Sequence, residues 1–312
     1  MVSYTIRRLV NGALTVFFLA TVVFFAVRLA PGNPLAGEKA ASPEIMANLR
    51  AQYGLDKPLL VQYGLFLSNS FLKGDFGISF TQKNRYVNDI IRDHFPVSAV
   101  LGVLAILWAA IGGVLFGALT AIFRNRLPDK IIMVLVIIGI AIPNFVFAAW
   151  GQFLVVRLNE WTGYTILPVA GWGQLQHMIM PSVFLGLGTM AYLTRLMRSS
   201  MLEVVNTDYI RTANAKGLSR FRILFLHQIR NAILPVVTIL GPAIAGITTG
   251  GFVIETLFAI PGLGRYFVQA VQQLDYTVIM GTTVFYGAFL IFMIVVVDIF
   301  YGFIDPRIRV EK

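Results

Sequence analysis

The 312-residue chain contains no cysteine and only three histidines, so it can build neither disulfides nor thiolate metal sites. Charge is also scarce: charged residues make up 13% of the chain, about half the quarter that is usual in soluble domains. No Gly-Lys dipeptide occurs, which excludes the phosphate-binding loop that ends in Gly-Lys-Ser/Thr. The patterns His-Glu-x-x-His and Gly-x-Ser-x-Gly are absent as well. We therefore predict no catalytic site and no metal site in this chain.

Apolar residues are abundant, at 57% of the chain, and they form long runs. A helix needs about 20 residues to cross roughly 30 Å of hydrocarbon, and six runs meet or approach that length. The sequence thus predicts an all-α membrane protein with six transmembrane helices. The six runs are Leu9–Val27 and residues 97–123, 131–156, 178–196, 234–256 and 277–303. A cleaved signal peptide is the alternative for the first run, but the apolar region of such peptides is only about 7–15 residues long.

These spans define the domain organisation. Residues 1–30 are the N-terminus and first span, residues 31–95 an external cap of short helices, residues 96–303 a five-helix core, and residues 304–312 a cytoplasmic tail. Three short patches of the cap are predicted to be helical, and they are residues 43–53, 59–72 and 86–94. The cap is too small to hold a core of its own, so we expect support from the membrane bundle or from a partner.

The distribution of charge predicts the orientation. With both termini inside, the inner segments hold fifteen Lys and Arg against five acidic residues, whereas the outer segments and their rims hold ten against nine. This asymmetry follows the positive-inside rule and places both termini in the cytoplasm of a multi-pass inner-membrane protein. It also explains the net charge of +10 without nucleic acid as a partner.

Few polar features interrupt the spans. Pro143 and Asn144 break the third span, and we weigh a packed kink against a bend that lines a transport path. Asp298 lies about one turn from the inner end of the sixth span, where it can pair helices or serve transport. Two glycine pairs, Gly113 with Gly117 and Gly246 with Gly250, predict faces for close helix packing.

The loop of residues 199–233 is a polar and basic stretch between strongly apolar segments. Asp208 and Lys216 match the two dipole ends of a short helix, and Gly217 follows where a helix usually stops. Ser219 can cap a second helix. Its apolar positions are predicted to be Phe221, Leu224, Phe225 and Ile229. Two small helices joined at a glycine indicate a docking element at the cytoplasmic surface.

This loop resembles that of a known family. The run from Tyr209 to Gly217, followed by residues 230–235 (RNAILP), is similar to the coupling loop of ABC-importer permeases of the dipeptide, oligopeptide and nickel branch. Arg211-Thr212-Ala213 stands where the wider family has Glu-Ala-Ala, and Asn214 stands where this branch often has arginine. The resemblance covers essentially the whole chain, including residues 258–265 and 305–307, and points to a B-type peptide permease subunit.

The resemblance implies the partners and the site residues. The implied partners are a homologous second permease in a heterodimer, two cytoplasmic ATPase subunits, an external peptide-binding protein and the bilayer. The ATPase subunits bind ATP and Mg²⁺, so this chain is expected to need no cofactor. Contact with an ATPase is expected from Tyr209, Ile210, Arg211, Thr212, Ala213, Lys216 and Gly217, with Tyr209, Ile210 and Ala213 as an apolar knob. Contact with the binding protein is expected from a rigid, non-helical projection that contains Phe258, Pro261, Gly262, Leu263, Gly264 and Arg265.

Four alternatives remain open at this point, two for the function and two for single segments. The same architecture imports nickel or other small solutes, although the spans contain no cluster of His or acidic residues. A stand-alone secondary carrier or channel is the alternative of a different class, but no inverted repeat with paired broken helices is visible. The cytoplasmic loop can also be read as a basic amphipathic segment lying on anionic lipid, and the outer segment as a plain turn.

Overall fold

The computed structural model describes residues 2–31, 51, 54–82, 84–249 and 251–304, with the side chains of 2–5, 245, 248, 249 and 297–304 excepted. Several predictions concern residues outside this description: most of the patch 43–53, Gly250, the side chain of Asp298 and the tail after residue 304. The described residues are helical, apart from connecting segments and one isolated bridge between Ile78 and Tyr86.

The helices are numbered here in chain order. They are α1 Val2–Leu29, α2 Leu59–Leu67 with a π-helical turn Ser68–Lys73, α3 Val87–Ile122, α4 Leu127–Ala141, α5 Asn144–Thr162, α6 Leu175–Val205, α7 Asp208–Ala215, α8 Arg220–Ala232, α9 Leu234–Thr249, α10 Phe252–Leu257, α11 Leu263–Gln273 and α12 Tyr276–Ile304. By length and composition, four of them can cross a membrane: α1, α3, α6 and α12. The number of spans rises to six if each of two bent pairs counts as one, namely α4 with α5 and α8 with α9.

The second predicted span begins too late. Helix α3 starts at Val87, so the predicted short patch 86–94 is its first turns and Pro96 lies inside it rather than in the first turn of a helix beginning at residue 97. A proline inside a helix removes one hydrogen bond, to the carbonyl four residues earlier. The helix continues because Ile90 and Ile91 before the proline and Leu101 after it are all buried.

Two further predicted spans also differ in extent. Helix α6 runs from Leu175 to Val205, longer at both ends than the predicted 178–196. The predicted span 234–256 instead divides into α9, which ends at Thr249, and α10, which begins at Phe252 with Gly251 before it. Glycine at two consecutive positions has a high entropic cost in a helix, which favours a break there.

The chain forms two compact units, residues 1–98 with 261–312 and residues 99–260, called here the terminal and the central unit. In the terminal unit, α1 packs along α12. Methyl groups built on Gly12 and Gly287 would collide with Ile291 and Leu19, so glycine permits this close approach. Phe66 and Phe76 pack against the same helices, which agrees with support of the cap by the bundle.

Asp275, just before α12, anchors the segment of residues 78–82 in the terminal unit. Its buried carboxylate accepts hydrogen bonds from the Ser79 hydroxyl at 2.5 Å and from the Thr81 backbone N–H and hydroxyl at 3.1 and 2.9 Å. The other carboxylate oxygen accepts from the Thr277 hydroxyl and the Val278 N–H. One side chain thus joins a loop to a helix almost two hundred residues further along the chain.

In the central unit, α4, α5 and α9 all pack on α6. Gly113 and Gly117 of α3 meet the same helix: a methyl on Gly113 would lie 2.6 Å from the Leu193 Cβ, and one on Gly117 would lie 2.7 Å from the Thr194 carbonyl oxygen. This pair therefore forms the expected packing face. Gly246 does not, because a methyl built there would meet no described atom within 4 Å.

The third predicted span contains a sharp break. Helices α4 and α5 meet at Ile142-Pro143 with a bend of 109°, far beyond a packed kink. Ile142 and Pro143 both have extended ψ angles, of 130° and 138°. Proline disfavours the helical conformation of the residue before it, which explains why α4 ends at Ala141.

Candidate functional site

The predicted docking loop begins at the end of α6. Helix α7 covers the predicted short helix and ends one residue earlier, at Ala215. The Leu218 N–H donates to the Ala213 carbonyl and the Gly217 N–H to the Asn214 carbonyl, the pair of bonds that defines a Schellman motif. Gly217 has a φ of +71°, the left-handed conformation expected of a glycine at this position.

Helix α8 also starts where the sequence indicates. The Ser219 hydroxyl caps it by accepting a hydrogen bond from the Arg222 N–H at 3.4 Å. Its central part, Ile223–Ile229, is π-helical. A π-helical segment has more residues per turn, so the positions that share a face shift from the α-helical pattern.

This shift changes which side chains are buried. Ile223 of α8 is buried against α7, although it was not among the predicted apolar positions, whereas Phe221 and Phe225 are exposed. Leu224 and Ile229 pack on the core formed by α3, α6 and α9. The two exposed rings lie 4.4 Å apart, and Leu226 beside them is also exposed. Phe221, Phe225 and Leu226 are called here the α8 patch.

The predicted apolar knob on α7 is largely wrong. Ile210 and Ala213 are only 2% and 5% exposed, because they pack against Ile223, Val204 and Leu218 within the loop itself. Of the three predicted knob residues, only Tyr209 is exposed. The outer face of α7 includes the exposed residues Tyr209, Arg211 and Thr212, and Lys216 is exposed just after the helix; Arg211 reaches Asp208 at 3.4 Å.

An ion pair fixes the C-terminal part of α6. The Arg198 guanidinium donates from Nε and Nη2 to the two carboxylate oxygens of Asp129, both at 2.9 Å. Asp129 is buried, and it also accepts from the Asn125 N–H at 2.8 Å in the turn before α4. This bidentate pair holds α4 and α6 together two turns before the docking loop. The sequence alone provides little indication of this ion pair, because 69 residues separate Asp129 from Arg198.

The outer segment predicted to project is instead held in the fold. In the central unit, the Phe258 carbonyl accepts from the Gly171 N–H at 2.8 Å, and Phe258 and Ile260 are buried. In the terminal unit, Leu263 is 0% exposed and its N–H donates to the Ser98 hydroxyl. Gly262 and Gly264 are buried there, while Pro261 and Arg265 are half-buried.

The second half of this segment is not irregular, because α11 begins at Leu263. The His94 ring stacks on Tyr266 of that helix at 4.1 Å, and its Nδ1 lies 2.8 Å from the Pro261 carbonyl oxygen. A rigid, non-helical projection is therefore the wrong description. Helix formation satisfies the backbone and buries Leu263, which a free projection would leave in water.

Two family models together match most of this chain. Residues 113–310 match the model of the binding-protein-dependent transport system inner membrane component, and residues 1–102 match that of the N-terminal part of such membrane components. The chain belongs to this family. It is a multi-pass integral protein of the inner membrane and a transport permease subunit.

Relatives align with this chain over their full length or nearly so. The dipeptide transport system permease protein of Bacillus subtilis is 45% identical over 100% of this chain and 99% of its own. The oligopeptide transport system permease proteins of Haemophilus influenzae and Escherichia coli K12 are 44% and 41% identical, each over 99% of this chain and 100% of its own.

Proposed function

We propose that this chain is the permease subunit of an ABC importer that carries peptides delivered by an external binding protein. The observation that carries the proposal is the 41–45% identity with dipeptide and oligopeptide permeases across the whole chain. A nickel importer has less support, because these relatives are named for peptides. A stand-alone carrier has less support still, since binding-protein-dependent systems draw on partner subunits.

The proposed membrane arrangement has six spans with both termini in the cytoplasm. The excess of Lys and Arg in the inner segments supports the orientation. The count of six treats α4 with α5 as one broken span and takes α9 as the fifth. Helix α9 has 16 residues, or about 24 Å, a few ångströms short of the hydrocarbon core.

In this proposal, ATP and Mg²⁺ are bound by two partner ATPase subunits, and the chain itself holds no cofactor and hydrolyses nothing. The docking surface combines the outer face of α7 with the α8 patch. Exposed aromatic rings supply most of the binding energy in many interfaces, and Phe221 is 72% exposed. Arg220, Arg222 and Arg230 surround the patch with positive charge.

A second, homologous permease completes the proposed transport path. One bundle of this size offers too little perimeter to enclose an extended peptide, and two ATPase subunits require two docking loops. Because the peptide branch usually combines two different permeases, we expect a heterodimer. The outer segment, held at both ends, would offer the binding protein a rigid surface around Ala259, which is exposed.

Reconstitution tests the function directly. Proteoliposomes that contain this chain, its second permease, the ATPase subunits and the binding protein should take up labelled dipeptide or oligopeptide only when ATP is present on the side of the ATPase subunits. Nickel should not be taken up. Uptake of nickel without peptide, or ATP-independent uptake by this chain alone, would contradict the proposal.

The docking surface is tested by the double variant Phe221→Ser, Phe225→Ser. It should retain insertion but bind the ATPase subunits at least tenfold more weakly, since two interface aromatics are lost. The control is Leu175→Ser, which changes an equally exposed apolar residue at the opposite end of α6. Equal ATPase affinity in both variants would contradict docking through the α8 patch and favour its contact with lipid.

A further inference from the structure

The break between α4 and α5 opens onto a cavity of about 350 Å³ inside the central unit. Its wall includes Gly139, Ile140 and Asn144 at the break, Gly188 and Thr189 of α6, and Gly246 of α9. The glycines expose main chain to this space: a methyl on Gly188 would lie 3.9 Å from the Gly139 carbonyl oxygen, and one on Gly246 would meet no described atom within 4 Å. A volume of a few hundred Å³ is typical of a small ligand pocket.

The helix break leaves main-chain acceptors unpaired at this wall. The last hydrogen bond of α4 runs from the Ile142 N–H to the Ile138 carbonyl at 3.0 Å. Pro143 has no N–H to offer Gly139, and no N–H donates to the Ile140 carbonyl in the part of the chain that the structure describes. Unpaired carbonyls at membrane depth are tolerated only where they are buried in protein or line a polar cavity.

Two side chains on the same wall also have free hydrogen-bonding capacity. Within the described residues, neither the Asn144 amide nor the Thr189 hydroxyl forms a hydrogen bond. This is unusual for the threonine, because its neighbour Thr194 on the same helix donates to the Met190 carbonyl at 2.8 Å, as helical threonines commonly do. The cavity therefore presents two carbonyl acceptors and two groups that can both donate and accept.

The depth of the cavity matches a transport path. Thr189 lies in the middle of the 31-residue helix α6, with about 20 Å of helix on either side. Among the described residues, the lining contains no ionisable side chain, so it offers no counter-charge to a metal ion or to an isolated charge. Neutral donors and acceptors side by side are complementary to the amide groups of a polypeptide main chain.

We propose that this cavity is a subsite of the transport path that binds the backbone amides of a peptide in transit, with Asn144 and Thr189 as its polar contacts. This inference rests on the proposed function and adds to it the chemistry that the path recognises: the main chain common to all peptides, rather than particular side chains. It also assigns the broken third span a role in the path.

The test compares a peptide with its backbone N-methylated analogue, which lacks one amide donor. Uptake is measured in the complete reconstituted transporter, with saturating binding protein already loaded, so that capture by the binding protein does not limit the rate. For the wild type, N-methylation should lower turnover about 5-fold, the effect of one net hydrogen bond. Asn144→Leu or Thr189→Val should bring the two peptides to within about 2-fold of each other.

Thr194→Val is the matched control, because its hydroxyl is already bonded within the helix and its loss should leave the wild-type ratio intact. ATPase stimulation by the loaded binding protein reports that each variant is assembled. Two results would contradict the subsite without contradicting the proposed function. One is a wild-type ratio of the two turnover rates in both Asn144→Leu and Thr189→Val, and the other is loss of the difference between the peptides in Thr194→Val as well. Failure of the wild-type complex to transport any peptide would overturn the proposed function and the subsite with it.

Discussion

Gly217 holds a backbone conformation that L-residues with side chains adopt only at a cost. A methyl built on it would touch nothing within 4 Å, so the position is demanding because of φ and not because of space. The left-handed conformation costs such a residue about 1–2 kcal/mol, whereas asparagine tolerates it better than most. Substitution therefore probes the turn between α7 and α8 without a steric clash.

Replacing Gly217 with valine should leave the protein inserted but should uncouple ATP hydrolysis from uptake, because the strained turn displaces α7 from α8. ATPase stimulation by loaded binding protein in the reconstituted complex is the measurement, and we expect it to fall several-fold. Gly217→Asn is the control and should retain most of the stimulation. Wild-type stimulation and uptake in Gly217→Val would show that the turn has no part in coupling.

Arg198 acts through geometry as well as charge. Lysine at this position keeps the charge but cannot donate two parallel hydrogen bonds to the Asp129 carboxylate. Since Asp129 is buried, loss of one of the two hydrogen bonds leaves a buried acceptor unsatisfied and should destabilise the folded protein by about 1–3 kcal/mol. The thermal unfolding temperature in detergent should decrease clearly for Arg198→Lys.

Arg157→Lys provides the comparison for Arg198. Arg157 and Glu160 form an exposed pair on one helix at 3.3 Å, and such pairs contribute little to stability. The Arg157→Lys variant should therefore unfold at the same temperature as the wild type. If Arg198→Lys melts at the same temperature as Arg157→Lys, the bidentate pair is not a structural clamp.

At the scale of elements, one carboxylate, that of Asp275, anchors the segment of residues 78–82. Asp275→Asn replaces one acceptor oxygen by an NH₂ group, which cannot accept the bonds now donated by Ser79 and Thr81. A buried donor left without a partner costs about 1–3 kcal/mol. We expect faster amide hydrogen exchange in residues 78–82, while exchange in α12 beyond its first turn stays unchanged.

The control for residues 78–82 is the variant Asp93→Asn, which removes an exposed ion pair with Arg85 at 3.0 Å. Exchange in residues 78–82 should be unaffected in that variant. Identical exchange in Asp275→Asn and the wild type would mean that the segment is held by its apolar contacts with α1 and α12 alone.

The local helices could be predicted more reliably than their faces. Asp208, Gly217 and Ser219 act on their nearest neighbours, so the ends of α7 and the start of α8 follow from sequence. The inward orientation of Ile210 does not, because it depends on Ile223 of another helix and on the π-helical segment around it. Likewise, no local pattern pairs Asp129 with Arg198 or Asp275 with Ser79.

At the scale of the whole molecule, the lack of native cysteine makes the orientation directly measurable. The single substitutions Lys216→Cys and Tyr164→Cys place a thiol at an exposed position, on the loop after α7 and on the connection between α5 and α6 respectively. In intact cells, a membrane-impermeant maleimide should label the Tyr164→Cys variant and spare the Lys216→Cys variant. Inside-out vesicles should show the reverse, and labelling of both variants from the same side would contradict the proposed orientation.

Hydropathy located the apolar runs but could not show how each run is divided. Residues 131–156 were one span in the sequence, yet Pro143 separates α4 from α5 by a bend that no composition average reports. Pro96 has the opposite outcome, since α3 continues through it. The difference lies in the surrounding packing, which decides whether a helix bends where a hydrogen bond is lost.

In the proposed six-span arrangement, where α4 and α5 form one span, their bend also relates the protein to the thickness of its membrane. With 15 and 19 residues, the two helices are about 22 and 28 Å long, and at 109° their far ends lie about 30 Å apart. This end-to-end distance equals the thickness of the hydrocarbon core, and it requires that both helices tilt steeply from the membrane normal. A straight helix of the same residues would measure about 51 Å. A thicker bilayer therefore favours a straighter pair of helices and a thinner bilayer a sharper bend. The length of the lipid acyl chains thus changes the shape of the cavity wall at Pro143.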